Sequence, residues 1–446
     1  MHPSPIPEEP TRTVPASLPV SEAEKAHSRE HTAYLRQSAI AIFVLLLLVT
    51  ACNVTIDPYL RFGTPRIEGW SQRKPKAIRQ VRMAKAYGVM RGDYRTIFLG
   101  NSRVDIGLNP QSEQLSANLL PAYNLGQPGS GSELARQYLE HVLADQTPNT
   151  VVLGVDFLNY LRKPADLGAQ EVSEVATESV SADAARLNSM GRSTRSWPQF
   201  RQQVKDTLAA TVSLSAVGDS LLTILAQNDP NAANISDQGF NSGSAFRNLI
   251  QSEGQASLFR QKNSEYIDKC LERVAPVDGQ SAELQAIEAA LQLCQRRGIR
   301  VEVYIHPYHA DVLEIFDATG HWGNFERWKM LLNRICEAQG SSLWDFANYS
   351  SRTTESPPAE GDRRTIMRWY WESGHYREAL GEQVLVEILG QELPATPAGY
   401  QLTPSTLESQ LAATRVAAVR YRLELKEQSH RVRRIVTTRK SSATPR

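Results

Sequence analysis

The longest apolar stretch of the chain lies near its start. Residues 37 to 56 carry no charge, and their centre, from Ala39 to Cys52, reads AIAIFVLLLLVTAC. About twenty residues of α-helix rise roughly 30 Å, which matches the hydrocarbon core of a bilayer. Residues 1–36 are rich in Pro, Ser, Glu and Thr and are predicted to be a disordered or only partly helical leader. We therefore predict one transmembrane helix over 37–56, with a buried core helix as the alternative.

The charges that flank this segment predict its orientation. Arg36 precedes it and Asp57 is the first charge after it, which favours a cytoplasmic N-terminus. Basic residues between Arg73 and Arg82 oppose this assignment, but long domains are translocated largely regardless of charge. We expect a single-pass protein of the cytoplasmic (inner) membrane with its main domain outside the cytoplasm, in the periplasm. Val49-Thr50-Ala51-Cys52 also resembles a lipoprotein cleavage box, although the leader is long for a signal peptide.

Short apolar runs alternate with helical patterns over residues 57–393. Helical spacing is found over Ser132–Ala144, from an N-cap at Ser281 to a stop at Gly298, and over Asn324–Glu337. This alternation predicts an α/β domain with a doubly wound, mainly parallel sheet and helices on both faces. Ligands of such sheets lie at the carboxyl ends of the strands. The five predicted strands are Thr96–Leu99, Ala122–Leu125, Thr150–Asp156, Ile299–Ile305 and Ser342–Phe346.

Two regions depart from this alternation. Residues 160–275 are rich in Ala, Ser, Gln and Asn, and contain helical patterns at Trp197–Ala210 and Leu214–Ala226. We interpret them as a helical insertion over or beside the sheet, with a lid as one possible role. Residues 394–446 contain an amphipathic helix, Ser405–Glu427, followed by a basic tail. The tail is predicted to be solvated, with a role on anionic lipid or polymer as the alternative.

Composition restricts the classes of partner. The formal net charge of +1 gives no bulk field that would favour nucleic acid. The four cysteines show neither CxxC nor metal-type spacing, although a Cys270–Cys294 disulfide stays open. His306 and His309 are three residues apart but lack a third ligand at suitable spacing. The alternatives for this pair are contact with substrate, support of other site residues, or a structural turn. We expect neither a metal nor a cofactor.

A serine follows the first predicted strand, in Gly100-Asn101-Ser102. A serine hydroxyl needs a base within hydrogen-bonding reach, and that base needs an orienting partner. His375, with Glu372 three residues before it, fits this requirement. The spacing lets the carboxylate reach Nδ1 of the imidazole while Nε2 faces the nucleophile.

A second serine stands in a literal Gly-Asp-Ser sequence, Gly218-Asp219-Ser220, within a helical pattern. No strand precedes it, so its hydroxyl cannot be presented on a strand-to-helix turn. We predict a helix surface or a helix–helix junction for this triplet rather than a nucleophile.

Four motifs follow one another along the chain: Gly100-Asn101-Ser102, Gly126, Gly154-Val155-Asp156 and Glu372-Ser373-Gly374-His375. In this order they resemble the SGNH hydrolase family, whose pattern is Gly-Asp-Ser, a Gly after the second strand, Gly-x-Asn-Asp and Asp-x-x-His. The resemblance implies a flavodoxin-like fold, Ser102, His375 and Glu372 as the catalytic residues, and an oxyanion hole formed by the backbone of Ser102 and Gly126 with the Asn124 side chain. The anchor makes the chain similar to the branch that includes the teichoic-acid D-alanylation protein and, with another motif order, the alginate O-acetyltransferases.

Two residues depart from the family pattern. Glu372 replaces an Asp, and a longer carboxylate can still orient an imidazole. Asp156 replaces an Asn, and an ionised carboxylate cannot donate to an oxyanion. Arg103 is predicted to bind an anionic group of the acceptor, or else to pair with Asp105 or Asp156. The predicted substrate contacts are Arg103, Asp156, His306, His309 and Trp371.

The resemblance implies a serine esterase or O-acyltransferase that acts on acyl groups of a cell-envelope or exported polysaccharide. The alternative is a catalytically silent module that binds polymer or holds a membrane-bound acyltransferase. A third possibility is a hydrolase for lipid esters with the insertion as an interfacial lid.

Overall fold

The computed structural model describes residues 22–164, 183–187, 196–279, 281–390 and 394–443. The chain divides into two compact units, Met1–Ala51 and Cys52–Arg446, which are described separately. Residues 1–21 of the predicted leader, 165–182 and 188–195 of the predicted insertion, and 444–446 of the basic tail lie outside the described residues.

The first unit contains most of one long helix, Glu22–Ile56. Its segment from Arg29 to Ile56 is long and apolar enough to cross a membrane. Residues 22–36, predicted as leader, extend this helix because Ala, Glu, Lys, Arg and Leu are good helix formers. The apolar side chains over residues 40–48 are exposed. A helix with an exposed apolar surface of this length matches the predicted anchor.

The second unit is built on a mainly parallel sheet. The strands of the described residues are β1 Thr96–Leu99, β2 Ala122–Asn124, β3 Thr150–Val155, β4 Arg300–Ile305, β5 Ser342–Asp345, β6 Tyr370–Glu372, β7 His375–Tyr376 and β8 Tyr400–Leu402. Six of them form this sheet, in the order β2-β1-β3-β4-β5-β8. The first five were predicted and are parallel, whereas β8 pairs antiparallel with β5 and was not predicted. The remaining strands, β6 and β7, form a separate antiparallel hairpin.

Helices cover both faces of the sheet. Alternate residues of each strand therefore pack into two different hydrophobic cores, one on each face. Ile97 and Leu153 pack into the larger core, while Phe98 and Val152 pack into the smaller one. Among the described residues, the α-helices of this unit include Val81–Val89, Ser102–Gly107, Ser132–Leu143, Phe157–Tyr160, Trp197–Thr211, Leu214–Leu225, Ala245–Glu253, Gln255–Glu272, Ala282–Arg296, Ala310–Thr319, Trp322–Ala338, Glu378–Leu389, Leu407–Glu424 and Lys426–Ala443.

The C-terminal region is docked on the domain, contrary to the prediction of a solvated tail. Arg422 and Arg433 both bond to the carboxylate of Glu314, which is buried. Val432 and Val436 are buried in the larger core. The basic residues of this region therefore serve in part as ion-pair partners for the domain. The four cysteines are all unpaired.

Candidate active site

Ser102 lies at the turn from β1 into the helix Ser102–Gly107. Gly100 makes this turn with a φ of +146°, and a Cβ there would lie 2.9 Å from the carbonyl oxygen of Gly154. Asn101 caps the helix, because its side chain accepts from the backbone N–H of Arg103 at 2.9 Å. Ser102 is half-buried. As the first helical residue it carries an N–H that has no partner within the helix.

The hairpin β6–β7 carries the other two residues of the predicted trio. His375 Nε2 lies 2.8 Å from Ser102 Oγ. His375 Nδ1 bonds to Glu372 Oε1, and the other carboxylate oxygen accepts from the N–H of Gly374 at 2.8 Å. The structure therefore brings together three side chains that the sequence separates by up to 273 positions.

Two glycines allow strand β7 and the helix Glu378–Leu389 to lie close to the helix that begins at Ser102. A Cβ on Gly381 would lie 1.7 Å from the carbonyl oxygen of Gly107, and a Cβ on Gly107 would lie 2.0 Å from the Tyr376 ring. The helix Glu378–Leu389 and strand β7 therefore pack directly on the helix that begins at Ser102. This backbone contact fixes His375 over Ser102 without a bulky side chain between them.

Glu372 is suited to orient His375. Its side chain is buried, which by itself opposes ionisation, but the His375 charge and the hydrogen bonds from His375 and Gly374 hold the pKa of Glu372 below its usual value. An ionised carboxylate is thus held behind the imidazole. It keeps the proton on Nδ1 and leaves Nε2 to accept from the serine hydroxyl.

Asp156, at the end of β3, is held by four donors. It forms an ion pair with Arg103 and accepts from Tyr308 Oη at 2.6 Å, from Asn101 Nδ2 at 2.9 Å and from the N–H of Leu158 at 3.0 Å. Burial opposes its ionisation, but the Arg103 charge and these hydrogen bonds lower the pKa of Asp156 to about 2. Asp156 is a buried anion that supports the serine turn through Asn101.

Arg103 joins this anion to the histidine hairpin. Its Nε donates to the carbonyl oxygen of Gly374 at 2.7 Å and its Nη2 donates to Tyr266 Oη at 2.9 Å. Its guanidinium also lies 4.9 Å from the centre of the Tyr308 ring. The predicted substrate contacts of Arg103 and Asp156 are therefore replaced by the pairing that the sequence left open as an alternative. Both side chains are used internally and are buried.

The predicted oxyanion donors beyond Ser102 are also occupied. The N–H of Gly126 donates to the side-chain oxygen of Asn124 at 2.8 Å. The Asn124 amide nitrogen donates to the carbonyl oxygens of Val104 and Leu108, each at 2.7 Å. This correction has a structural cause: Asn124 satisfies the carbonyl end of the short helix that begins at Ser102, and that use excludes an oxyanion.

Neither predicted histidine contact reaches the surface. Burial, together with the nearby Arg103 charge, lowers the pKa of His306 to about 3, so its ring is a neutral core group. His309 caps the helix Ala310–Thr319, where its Nδ1 accepts from the N–H of Asp311 at 3.1 Å. Its Nε2 bonds to the carbonyl oxygen of Glu355 at 2.8 Å. Both residues are fully buried, which corrects their predicted role in binding substrate.

Trp371 does not present a free ring to a sugar. Phe246 stacks on it with ring centres 5.6 Å apart and planes 11° apart. The Arg377 guanidinium lies 4.5 Å from the ring centre, and Trp371 is only 3% exposed. Phe246 also lies 6.0 Å from the His375 ring. The pair Phe246–Trp371 packs beside the histidine instead of forming a stacking platform.

Two residues near the serine were missed by the sequence analysis. Tyr308 supports Asp156, and its place three residues after β4 was the available signal. Gln127 directly follows Gly126, and its N–H donates to the carbonyl oxygen of Gly100 at 2.8 Å. Its side chain is fully buried, and neither polar atom of its amide has a partner within the described residues. A buried amide of this kind beside the Ser102 turn is a candidate donor.

Comparison of the chain with protein-family models, with curated proteins and with solved structures gave no match. Among the residues that the structure describes, no group of three or more His, Cys, Asp or Glu side chains is placed to hold a metal ion. Functional inference therefore starts from the geometry of the site.

Proposed function

We propose that the chain is a membrane-anchored, extracytoplasmic serine esterase or O-acyltransferase of the SGNH type. The observation that carries this proposal is the 2.8 Å contact between Ser102 Oγ and His375 Nε2, with Glu372 bonded to the opposite ring nitrogen. The order of the parallel strands, 2-1-3-4-5, is that of flavodoxin-like sheets. Ser102 follows β1, beside the point where the strand order reverses, which is where ligands of such sheets bind.

The geometry supports a two-step acyl transfer. Ser102 Oγ attacks the ester carbonyl while His375 Nε2 takes the hydroxyl proton, and Glu372 stabilises the imidazolium. The tetrahedral intermediate then expels the alcohol, which takes the proton from His375, and leaves an acyl-serine. Water or a sugar hydroxyl, deprotonated by His375, attacks this ester and releases free acid or an acylated acceptor together with the original serine.

The developing oxyanion needs donors that the structure does not use elsewhere. The Ser102 N–H has this character as the first N–H of its helix. The Gln127 amide is our candidate for a second donor, because it lacks a partner within the described residues and its backbone is tied to Gly100. Since this amide is buried, the proposed role requires that the turn after Gly126 opens when substrate binds. Asp156 does not take this role, since it is an anion that binds Arg103.

The proposed location is the cytoplasmic (inner) membrane, with a cytoplasmic N-terminus and the catalytic domain outside. Such an anchor favours acyl transfer on a cell-envelope or exported polysaccharide, because it keeps the enzyme close to polymers and acyl donors at the membrane. The test is turnover of a chromogenic acetyl ester by the full-length protein, with and without polysaccharide. Acylated polymer indicates transfer, and acetate alone indicates hydrolysis. Absence of both in wild-type protein that is folded contradicts the proposal.

A catalytically silent module is the second candidate. It is favoured by the internal use of the Gly126 N–H and of the Asn124 amide, which leaves fewer donors than the family pattern implies. Such a module would bind polymer or hold a membrane acyltransferase. Polymer binding that Ser102→Ala does not change, without any ester turnover, would support it over the enzyme.

A further inference from the structure

Two helices of the insertion expose an unusual amount of apolar surface. They are Trp197–Thr211 and Leu214–Leu225. The first helix and the segment Leu214–Asn228, which is the second helix with the short turn that follows it, are bent by 54° relative to each other. Leu214, at the junction between them, is 89% exposed, and Leu225 is 76% exposed. The other exposed apolar residues of the pair are Trp197, Phe200, Val204, Leu208, Val212, Leu221 and Leu222.

These side chains follow one stripe on each helix. On the first helix they recur at positions 197, 200, 204 and 208, and on the second at 214, 221 and 225, which are spacings of a single helical face. Gly218 fills the missing position of the second stripe, and a Cβ there would meet nothing within 4 Å. The stripe is therefore continuous and open.

The opposite face of the pair is small and polar. Ala216, Ser220 and Thr223 of the second helix are buried, and so are Asp206 and Ala210 of the first. A helix on the surface of a water-soluble domain has the reverse arrangement, with its large apolar residues turned inward. An exposed apolar face of this size indicates contact with an apolar partner.

The hydrogen bonds of this inner face connect the two helices to Asn53. Asn53 Nδ2 donates to the carbonyl oxygen of Thr211 at 2.7 Å, and Ser220 Oγ donates to Asn53 Oδ1 at 2.8 Å. Asn53 lies near the C-terminal end of the predicted transmembrane segment, residues 37–56. If that segment crosses a bilayer, Asn53 lies near the bilayer surface at that end. The junction of the two helices, where Leu214 is exposed, must then lie at that surface as well.

Cationic groups lie beside the middle of the second helix. Lys76 Nζ lies 3.6 Å and Arg79 Nη1 3.9 Å from Asp219 Oδ1, and the Arg79 side chain is 69% exposed. Asp219 also accepts from Tyr59 Oη at 2.8 Å. Long basic side chains next to an apolar face are typical of helices that lie in the headgroup region of a membrane.

We propose that the helices Trp197–Thr211 and Leu214–Leu225 form a hairpin that inserts its apolar stripe into the membrane. The partner is the lipid bilayer. This inference rests on the proposed membrane location but does not depend on the proposed chemistry. The domain then has two membrane contacts, and the second one limits rotation about the anchor. The orientation of the catalytic serine toward the membrane is thereby restricted.

The test measures the depth of single labels in the full-length protein in liposomes. A Cys52→Ser parent removes the exposed native thiol, since the other three cysteines are buried. An environment-sensitive fluorophore is attached to Leu214→Cys or Leu225→Cys. The matched control is Leu423→Cys, a leucine that is 63% exposed on the C-terminal helix Leu407–Glu424. Leu46→Cys, within the anchor, reports insertion of the protein.

Lipids brominated on their acyl chains should quench the labels at 214 and 225 by about half or more, because an interfacial helix buries its apolar face roughly 5–10 Å deep. The label at 423 should keep its fluorescence. Equal quenching at all three positions, or none at 214 and 225, overturns the hairpin. Labels at 214 and 225 that are shielded from water but unquenched indicate a protein partner and also overturn it.

The controls separate the hairpin proposal from the proposed anchor and from the proposed chemistry. An unquenched label at 46 shows that the anchor is not inserted, and the hairpin proposal then fails with it. Each labelled variant must keep the thermal unfolding midpoint of the Cys52→Ser parent. Loss of ester turnover would bear on the proposed function but leaves the quenching result intact.

Discussion

Two serines of this chain share the sequence pattern Gly-x-Ser and have opposite surroundings. Ser102 follows β1, is half-buried and lies 2.8 Å from the His375 imidazole. Ser220 stands inside the helix Leu214–Leu225, is fully buried and donates to Asn53 at 2.8 Å. The first serine faces a base, whereas the second faces a neutral amide.

The difference shows that the backbone before the serine decides its chemistry. Gly100 adopts a positive φ that sets Ser102 at the start of a helix, beyond the strand end. Gly218 lies within a regular helix, and so Ser220 points into a helix junction. The literal Gly-Asp-Ser sequence therefore lies in a buried helix junction, while Gly-Asn-Ser, which differs from the family pattern by one residue, lies in the candidate active site.

The largest expected effect is the loss of activity when Ser102, but not Ser220, is replaced by alanine. Ser102→Ala should lower the kcat for a chromogenic acetyl ester by roughly 10⁴- to 10⁶-fold, because it removes the nucleophile. Ser220→Ala is the matched control and should keep kcat close to that of the wild type. Loss of activity in Ser220→Ala with activity kept in Ser102→Ala would reverse the assignment.

Substitution of Glu372 tests whether Ser102 has an oriented base. Glu372→Gln should reduce kcat by about 10²- to 10⁴-fold, because the amide neither fixes the Nδ1 proton nor stabilises an imidazolium. Glu372→Asp should recover part of the activity, and steady-state kinetics measure both. A Gln variant as active as the wild type would mean that His375 is not held by this carboxylate.

Substitution of Asp156 tests the buried pair that supports the Ser102 turn. Asp156→Asn should lower the free energy of unfolding by about 3–5 kcal/mol, since it leaves the Arg103 charge buried and unpaired. Denaturant unfolding measures the loss. The double variant Arg103→Met/Asp156→Asn should be more stable than the single one, because no unpaired charge remains. A single variant as stable as the wild type would contradict the pairing.

The same variant makes a prediction about pH. The folded-state pKa of Asp156, about 2, is below the value of about 3.9 in unfolded chains. Its ionisation therefore stabilises the fold fully above the unfolded value, and this contribution is lost as the pH falls toward 2. The difference in stability between wild type and Asp156→Asn should shrink between about pH 4 and pH 2. A difference that grows on acidification would have the wrong sign.

Gln127 tests the proposed oxyanion donor. Gln127→Leu should lower kcat by about 10²-fold or more with little change in KM, because an oxyanion donor acts in the transition state. Asn124→Ala, by contrast, should act mainly on stability, since its amide bonds to the carbonyl oxygens of Val104 and Leu108. A wild-type kcat in Gln127→Leu would leave the Ser102 N–H as the remaining candidate.

The smallest expected effect belongs to the second serine. Ser220→Val should lower the free energy of unfolding by about 1 kcal/mol, which is the usual net contribution of one hydrogen bond. Thermal unfolding of the full-length protein in detergent measures it. An increase in stability would indicate that the Ser220–Asn53 bond contributes nothing to the fold.

The sequence predicted the parts of the fold that depend on local pattern. The five parallel strands begin and end within one residue of their predicted bounds, because runs such as Thr150–Val155 are β-branched and continuous. Ser281 caps its helix as predicted, accepting from the N–H of Glu283 at 3.2 Å. The sixth strand, Tyr400–Leu402, has three residues and no apolar run, and its pairing with β5 is set by tertiary structure.

The candidate site was predictable where motif order was sufficient. Ser102, Glu372 and His375 could be placed together because all three follow from the strand–helix order and the Glu-x-x-His spacing. The donors Gly126 and Asn124 were wrong, since their partners are carbonyl oxygens and a side chain that only the folded backbone brings near. His309 has the structural role that the sequence left open as an alternative to a substrate contact, although a histidine is an unusual helix cap.

The most direct test of the central claim is covalent labelling. The full-length protein in detergent is treated with an alkyl fluorophosphonate, which phosphonylates activated serines, and the modified peptide is found by mass spectrometry. We predict one adduct, on Ser102, that disappears in His375→Ala and persists in Ser220→Ala. An adduct on Ser220, or unmodified Ser102 in the folded wild-type protein, would contradict the account.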